Sequence, residues 1–346
     1  MMRIGTFEIN QTSPVFIIAE LSANHNGRLE TAIETIRAAK RAGADCIKLQ
    51  TYTAETITID SRLDDFRIGG TIWDGQYLFD LYKEAYTPWE WHAELFRVAK
   101  EEGLVCFSSP FDPTAVEFLE ELDVPAYKIA SFEITDIPLI ELVASKGKPV
   151  IISTGIATEE DIRLALDACS RQHNDQVALL KCTSSYPAPI AEANMAMIKD
   201  FNERFNVITG LSDHTIGSTV PIVATVLGAK IIEKHFILDR AIGGPDASFS
   251  MNESEFAEMV KSVREAEQAI GVVDYKLTEK QSKGKDFSRS LYVVEDIAAG
   301  ELITESNVRS IRPGFGLHPK YLKDIIGKPA KEDLKKGSRM ALDKIA

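Results

Sequence analysis

Two lysines, a set of serines and two histidines stand in or at the ends of short apolar runs, and their types restrict the chemistry. Lys48 and Lys128 carry fixed positive charge. Ser131, Ser153 and Ser212 each close an apolar run with a hydroxyl. Lysine supplies point charge, while hydroxyls and the backbone N–H groups at helix starts supply directed donors, so together they suit a small anion such as a phosphorylated or carboxylated substrate. His214 and His235 end consecutive runs. Imidazole, with carboxylate or water, suits Mn, Co, Fe or Zn. Each feature also has a plain structural reading: a strand-end serine caps the following helix, a lone lysine reaches to solvent along its stem, and a histidine serves packing or proton transfer. His92, His173 and His318 take that plain reading, as residues of helix or loop surfaces.

Side chains so far apart in sequence act together only if the chain lines them up. Eight β-branched apolar runs supply the means, at 15–20, 45–50, 104–109, 126–131, 149–154, 177–183, 206–212 and 230–236. Helical segments such as 28–42, 89–102, 113–122, 158–171 and 217–228 separate them, and Thr158 before three acids is a good N-cap. Continuously apolar strands alternating with helices predict a parallel sheet covered on both faces. Eight such units predict a closed (β/α)8 TIM barrel, whose active site lies at the C-terminal ends of the strands. A doubly wound open sheet is the rival, but no GxGxxG follows the first strand. Residues 1–270 make the barrel, and 61–87 form an insert long enough to shape a pocket. Residues 271–288 lose apolar periodicity and read as a linker. Residues 289–346 read as a small β-rich domain.

Charge divides along the same boundary. The 346-residue chain has a formal net charge of −13, yet residues 271–346 hold 15 Lys+Arg against 11 Asp+Glu, leaving 24 against 41 on residues 1–270. That acidity argues against nucleic acid or an anionic membrane surface as partner. No apolar stretch is long enough to span a bilayer, and no leader pattern opens the chain, so a cytoplasmic protein is expected. Cys46, Cys106, Cys169 and Cys182 form no CxxC pair and read as reduced, buried thiols.

The segments IAELSANHNG, KLQT, YKIAS, ISTG, SSYPAP, GLSDHT, EKHF and GGPD, followed by RPGFGLHP, resemble the ordered motif set of the sialic acid synthase family. The resemblance covers nearly the whole chain, and the last motif resembles that family's antifreeze-like (SAF) C-terminal domain. SANHNG, the insert with GGTIWDG and LYKEAYTPWEW, and SSYPAP are more similar to the family branch that makes pseudaminic acid than to the one that makes N-acetylneuraminate.

The resemblance implies a metal-dependent condensation of phosphoenolpyruvate with an N-acetylated amino sugar, releasing phosphate. It carries Lys48, Lys128, Ser131, Ser153, Ser184 and Ser212 to phosphoenolpyruvate, and Tyr186, Asp246 and Arg312 to the sugar. The resemblance makes Glu20 a sugar-side position, and for the implied reaction Glu133, or else Glu20, is the candidate catalytic carboxylate. His214 and His235 become ligands of a divalent metal, Mn2+ foremost, with Mg2+ or Co2+ as alternatives. Arg312 implies a domain-swapped homodimer, because in the family this arginine usually comes from the partner subunit. Two departures bear on the sugar: Ser184 stands where sialic acid synthases have Asn, and Ala247 where many have His. Rival readings are an N-acetylneuraminate or legionaminate synthase, a non-catalytic sugar-binding barrel, and a Schiff-base aldolase using Lys128 or Lys181.

Overall fold

A computed structural model describes all residues, Met1–Ala346. They form two compact units, Met1–Gly271 and Val272–Ala346.

In the first unit a short antiparallel hairpin, β1 (Met2–Ile4) and β2 (Phe7–Ile9), precedes eight parallel strands. These are β3 (Phe16–Glu20), β4 (Cys46–Thr51), β5 (Val105–Pro110), β6 (Tyr127–Ile129), β7 (Val150–Ser153), β8 (Val177–Cys182), β9 (Ile208–Asp213) and β10 (Ile231–His235). They pair in chain order, and β10 closes on β3, with His235 opposite Glu20 and Glu233 opposite Ile18. The expected closed barrel is therefore borne out, and the open sheet is not.

The two-residue alternation of a strand explains the layering. On β3, Phe16 and Ile18 point into the barrel and meet Cys46, Phe107, Ile151, Leu180 and Ile231 in one buried cluster. Ile17, Ala19 and Leu21 point outward into a second cluster, packed against the helices. Met2, Ile4 and Ile9 of the hairpin join the interior cluster. Burying an aliphatic side chain of this kind stabilises the fold by about 1.5–3 kcal/mol. The inward positions nearest the strand C-termini are polar instead: Glu20, Lys48, Ser109, Lys128, Ser153, Ser212, Glu233 and His235 are all buried.

The covering helices follow from their apolar faces and caps. In α1 (Leu29–Arg41), Ala32, Thr35, Ile36 and Ala39 are buried at helical spacing. The other helices are α2 (Ala54–Ile57), α3 (Leu78–Ala85), α4 (Trp89–Glu101), α5 (Pro113–Glu121), α6 (Ile137–Ala144), α7 (Glu159–Arg171), α8 (Met197–Phe205), α9 (Thr219–Val226) and α10 (Glu253–Ile270). Thr158 and Asp161 cap α7 reciprocally, as Asn252 and Glu255 cap α10. His92 departs from its expected surface position. It is fully buried on α4 and shares a 2.9 Å hydrogen bond between Nε2 and the Thr51 hydroxyl.

The second unit pairs β11 (Ser290–Val293) antiparallel with β12 (Val308–Ile311). Its core gathers Leu291, Val293, Ile297, Ile303, Val308, Ile325, Leu334 and Met340. Ser290 Oγ donates to Pro313 O at 2.6 Å and accepts from Gly316 N at 2.8 Å, pinning the loop that follows Arg312. A Cβ at Gly316 would lie 2.4 Å from the Leu291 carbonyl oxygen, so this close approach requires glycine. Within 271–288, read as linker, residues Glu279–Gly284 form a short helix, while Val272, Val273 and Tyr275 are exposed.

Candidate active site

A cavity of about 430 Å3 opens at the C-terminal end of the barrel. One side of it is a candidate anion cradle. Lys48 Nζ donates to Glu20 Oε1 at 2.7 Å and to Ser109 Oγ at 3.3 Å. Lys128 Nζ donates to Ser153 Oγ at 2.6 Å and to Ile129 O at 3.0 Å. Glu233 Oε1 lies 3.5 Å from Lys48 Nζ and 3.8 Å from Lys128 Nζ, and accepts from Ser212 Oγ at 3.2 Å. Three candidate anion-binding groups thus converge on one carboxylate oxygen. Burial works against the Lys48 charge, but Glu20 and Glu233 outweigh it and hold its pKa above the ordinary lysine value. At Lys128 burial prevails over Glu233, and the pKa is lowered.

Beside the lysines, Ser184 Oγ donates to Ser131 Oγ at 2.8 Å. The pair rests against Gly155, where an added Cβ would come 2.1 Å from Ser184 Oγ and 2.5 Å from Ser131 Oγ. Glu133 follows within the 3-10 turn Ser131–Thr135. Its carboxyl is pushed up to about 7 by burial, against the pull of Lys128, and its Oε2 has no hydrogen-bond partner.

The histidine rings, on β10 and just after β9, lie with centroids 5.3 Å apart. His214 Nδ1 faces the Thr183 carbonyl at 3.0 Å. Donating there fixes the tautomer that leaves Nε2 free as a ligand. His235 Nε2 lies 3.6 Å from Glu20 Oε2, and Nδ1 lies 3.6 Å from Asp246 Oδ2. His235 Nδ1 is buried without a hydrogen-bond partner, which calls for a missing partner. Burial pushes the His235 imidazole down to about 3, toward the neutral form a metal ligand needs, whereas at His214 burial is outweighed by the Cys182 thiol, which holds the imidazole above its ordinary value. No three His, Cys, Asp or Glu side chains enclose a metal by themselves. Two imidazoles with nearby carboxylates nevertheless fit a divalent ion whose other positions fall to water or substrate. Tyr186 packs on His214 at 4.4 Å between ring centroids and on Trp73 of the insert at 5.5 Å.

The cavity therefore brings together Glu20, Lys48, Lys128, Ser131, Glu133, Ser153, Tyr186, Ser212, His214, His235 and Asp246, with Ser184 bonded to its wall. Arg312 is exposed on the second unit. Glu233 and Gln50, on the strands that carry His235 and Lys48, join them, while Ser109 and Trp73 were not singled out from sequence. Glu233 stands two residues before His235 on one strand, so alternation alone points it inward. Ser109 ends β5 in the same way. Gln50 donates to Glu20 Oε1 at 2.8 Å and to Ser22 Oγ at 3.0 Å. Trp73 sits in the long insert, where no periodicity marks it.

The NeuB family model matches residues 35–275 and the SAF domain model residues 288–339. The chain belongs to the NeuB family. This NeuB chain is 49% identical over 339 residues to the pseudaminic acid synthase of Campylobacter jejuni subsp. jejuni serotype O:2, covering 98% of each chain. It is 48% identical to the pseudaminic acid synthase of Helicobacter pylori, covering 96% of this chain and 98% of that one. Identity to the N,N'-diacetyllegionaminic acid synthase of Legionella pneumophila is 33%, covering 95% of this chain and 94% of that one. Among solved structures, the N-acetylneuraminic acid synthetase of Leptospira borgpetersenii, in complex with citrate, superposes with a TM-score of 0.73 at 30% identity. That match covers 82% of this chain and 94% of that one. The resemblance to sialic acid synthases and the SAF assignment are both borne out.

Proposed function

We propose that the chain is a pseudaminic acid synthase, condensing phosphoenolpyruvate with 2,4-diacetamido-2,4,6-trideoxy-β-L-altropyranose and releasing phosphate. The observation that carries the reaction class is one cavity holding a lysine–serine cradle beside paired histidines and the carboxylates of Glu20, Glu133, Glu233 and Asp246. The choice of sugar rests on 49% identity to a pseudaminic acid synthase against 33% to a legionaminic one.

Lys48, Lys128, Ser131, Ser153, Ser184 and Ser212 hold the phosphate and carboxylate of phosphoenolpyruvate. His214 and His235 hold a divalent ion, taken as Mn2+, with Glu20 beside them. When bound, that ion supplies Lewis acidity toward the oxygen of the open-chain aldehyde. Glu20, Tyr186 and Asp246 position the sugar so that phosphoenolpyruvate C3 attacks the aldehyde carbon. A C–C bond forms, the aldehyde oxygen takes a proton from solvent, and C2 becomes cationic. Glu133 as carboxylate faces that charge and takes the proton of the water that attacks C2. The tetrahedral intermediate then breaks the C2–O bond to phosphate as its C2 hydroxyl gives up a proton to the departing phosphate and becomes the ketone, and phosphate leaves into the cradle. Lys128, held by Ser153 and Ile129 O, is an anion ligand in this scheme and not a Schiff-base nucleophile.

Arg312 is assigned to the sugar's N-acetyl group, reached from the partner subunit of a domain-swapped homodimer, and the enzyme is placed in the cytoplasm. No helix is long and apolar enough to cross a membrane. The test is phosphate release from phosphoenolpyruvate and Mn2+ with the diacetamido sugar, run beside N-acetylmannosamine. Faster release with N-acetylmannosamine would overturn the substrate assignment.

A further inference from the structure

The cavity has two chemically different sides. The cradle and the histidines supply charge and hydrogen-bonding groups. The insert spanning residues 61–87 supplies a nearly apolar wall. It brings Ile68, Trp73, Leu78 and Leu81 to the cavity, and its only hydroxyls there are those of Thr71 and Tyr82.

This wall is built in place. Ile68 N donates to Gln76 O at 2.8 Å and Gly75 N donates to Ile68 O at 2.9 Å, closing a hairpin across the insert. Gly70 N donates to Asp74 Oδ1 at 2.7 Å inside its turn. Trp73 Nε1 donates to Pro245 O at 3.2 Å, which ties the hairpin to the loop after β10 and uses up the indole donor. Leu78 and Leu81 belong to α3, and Leu81 is buried.

We infer that this insert is the specificity element of the site, its apolar wall selecting an amino sugar that is deoxygenated at the carbon farthest from the aldehyde. The inference rests on the proposed condensation. C–C bond formation puts the aldehyde carbon beside the phosphoenolpyruvate cradle and the histidines, so the far end of the sugar extends toward the opposite side. A methyl group gains by burial against Ile68, Leu78 and Leu81. A hydroxymethyl group there gives up its hydrogen bonds to water, and on this wall only the Thr71 and Tyr82 hydroxyls could replace them. Apolar pockets separate such pairs by roughly 10- to 200-fold.

The experiment compares kcat/KM for the 6-deoxy diacetamido sugar and for its 6-hydroxy counterpart of the same configuration, using the full-length chain with Mn2+. The wild type is expected to favour the 6-deoxy sugar by at least about tenfold. Leu78→Gln, which offers the added hydroxyl a partner, is expected to lower that ratio about tenfold while leaving KM for phosphoenolpyruvate unchanged. Ile68→Asn, on the partly exposed hairpin, carries the same test if Leu78→Gln does not fold. A ratio unchanged in the folded variants overturns the inference. A wild type that releases phosphate equally with both sugars also overturns it, but leaves the condensation reading standing. A wild type that releases phosphate with neither overturns both.

Discussion

Ser184 and Ser131 share a 2.8 Å hydrogen bond directly over the α-carbon of Gly155, which joins the ends of β6, β7 and β8 into one surface. The two hydroxyls can meet there only because residue 155 has no side chain. Gly155→Ala is therefore expected to push the pair apart. Each lost bond to a charged ligand is worth about 1.5–3 kcal/mol, so KM for phosphoenolpyruvate should rise at least about tenfold, with KM for the sugar little changed. Steady-state kinetics with each substrate varied in turn checks this; an unaltered KM for phosphoenolpyruvate would remove the serine pair from the cradle.

Glu133 predicts a pH dependence. Its carboxyl is raised to about 7 and must be ionised to accept a proton from water, so kcat/KM should climb with pH through about 7. Glu133→Gln should flatten that limb and lower the rate by roughly 10²–10⁴. The same shift bears on stability. Because the folded pKa lies above the unfolded one, the carboxyl's contribution is present below the unfolded value near 4.5 and is lost as pH rises through about 7. Glu133→Gln stays neutral, so its Tm relative to wild type should improve between pH 5 and pH 8. A constant difference across that range would contradict the assignment.

Removing an imidazole tests the metal ligands without relying on turnover. His214→Ala should leave the barrel folded by far-UV circular dichroism but weaken Mn2+ binding by at least about tenfold. Titration followed by the electron paramagnetic resonance of free Mn2+ measures this, and wild-type affinity in the variant would refute the role of His214.

The position of bond cleavage follows from attack at C2. Phosphoenolpyruvate carrying 18O in the C2–O–P bridge should deliver its label to phosphate, read by mass spectrometry. Unlabelled phosphate would mean P–O cleavage and would sink the mechanism.

Much of this architecture is legible in sequence because burial and alternation are strong signals. The apolar runs at 15–20 and 230–236 contain β3 and β10, and the two-residue period that turns Lys48 inward does the same for Glu233 and Ser109. The hairpin Met2–Ile9 is less visible, since its strands of three residues are too short for periodicity to register. The run at 126–131 yields only Tyr127–Ile129, because Ser131 opens a 3-10 turn that carries Glu133 into the cavity. His92 could not be placed from sequence, because its burial depends on Thr51 arriving from the end of β4. Trp73 is illegible for a related reason: its partners, Tyr186 and Pro245, lie more than a hundred residues away.

The four free cysteines give the folded protein an uneven reactivity. Burial pushes the thiols of Cys46, Cys106 and Cys169 up, and none of the three lines the cavity. Cys182 does line it. Buried like the others but on the cavity wall, it is the one native thiol that a small alkylating reagent entering by the substrate's opening would meet. Alkylation becomes an occupancy meter for the cavity, on a background that the remaining thiols leave nearly silent.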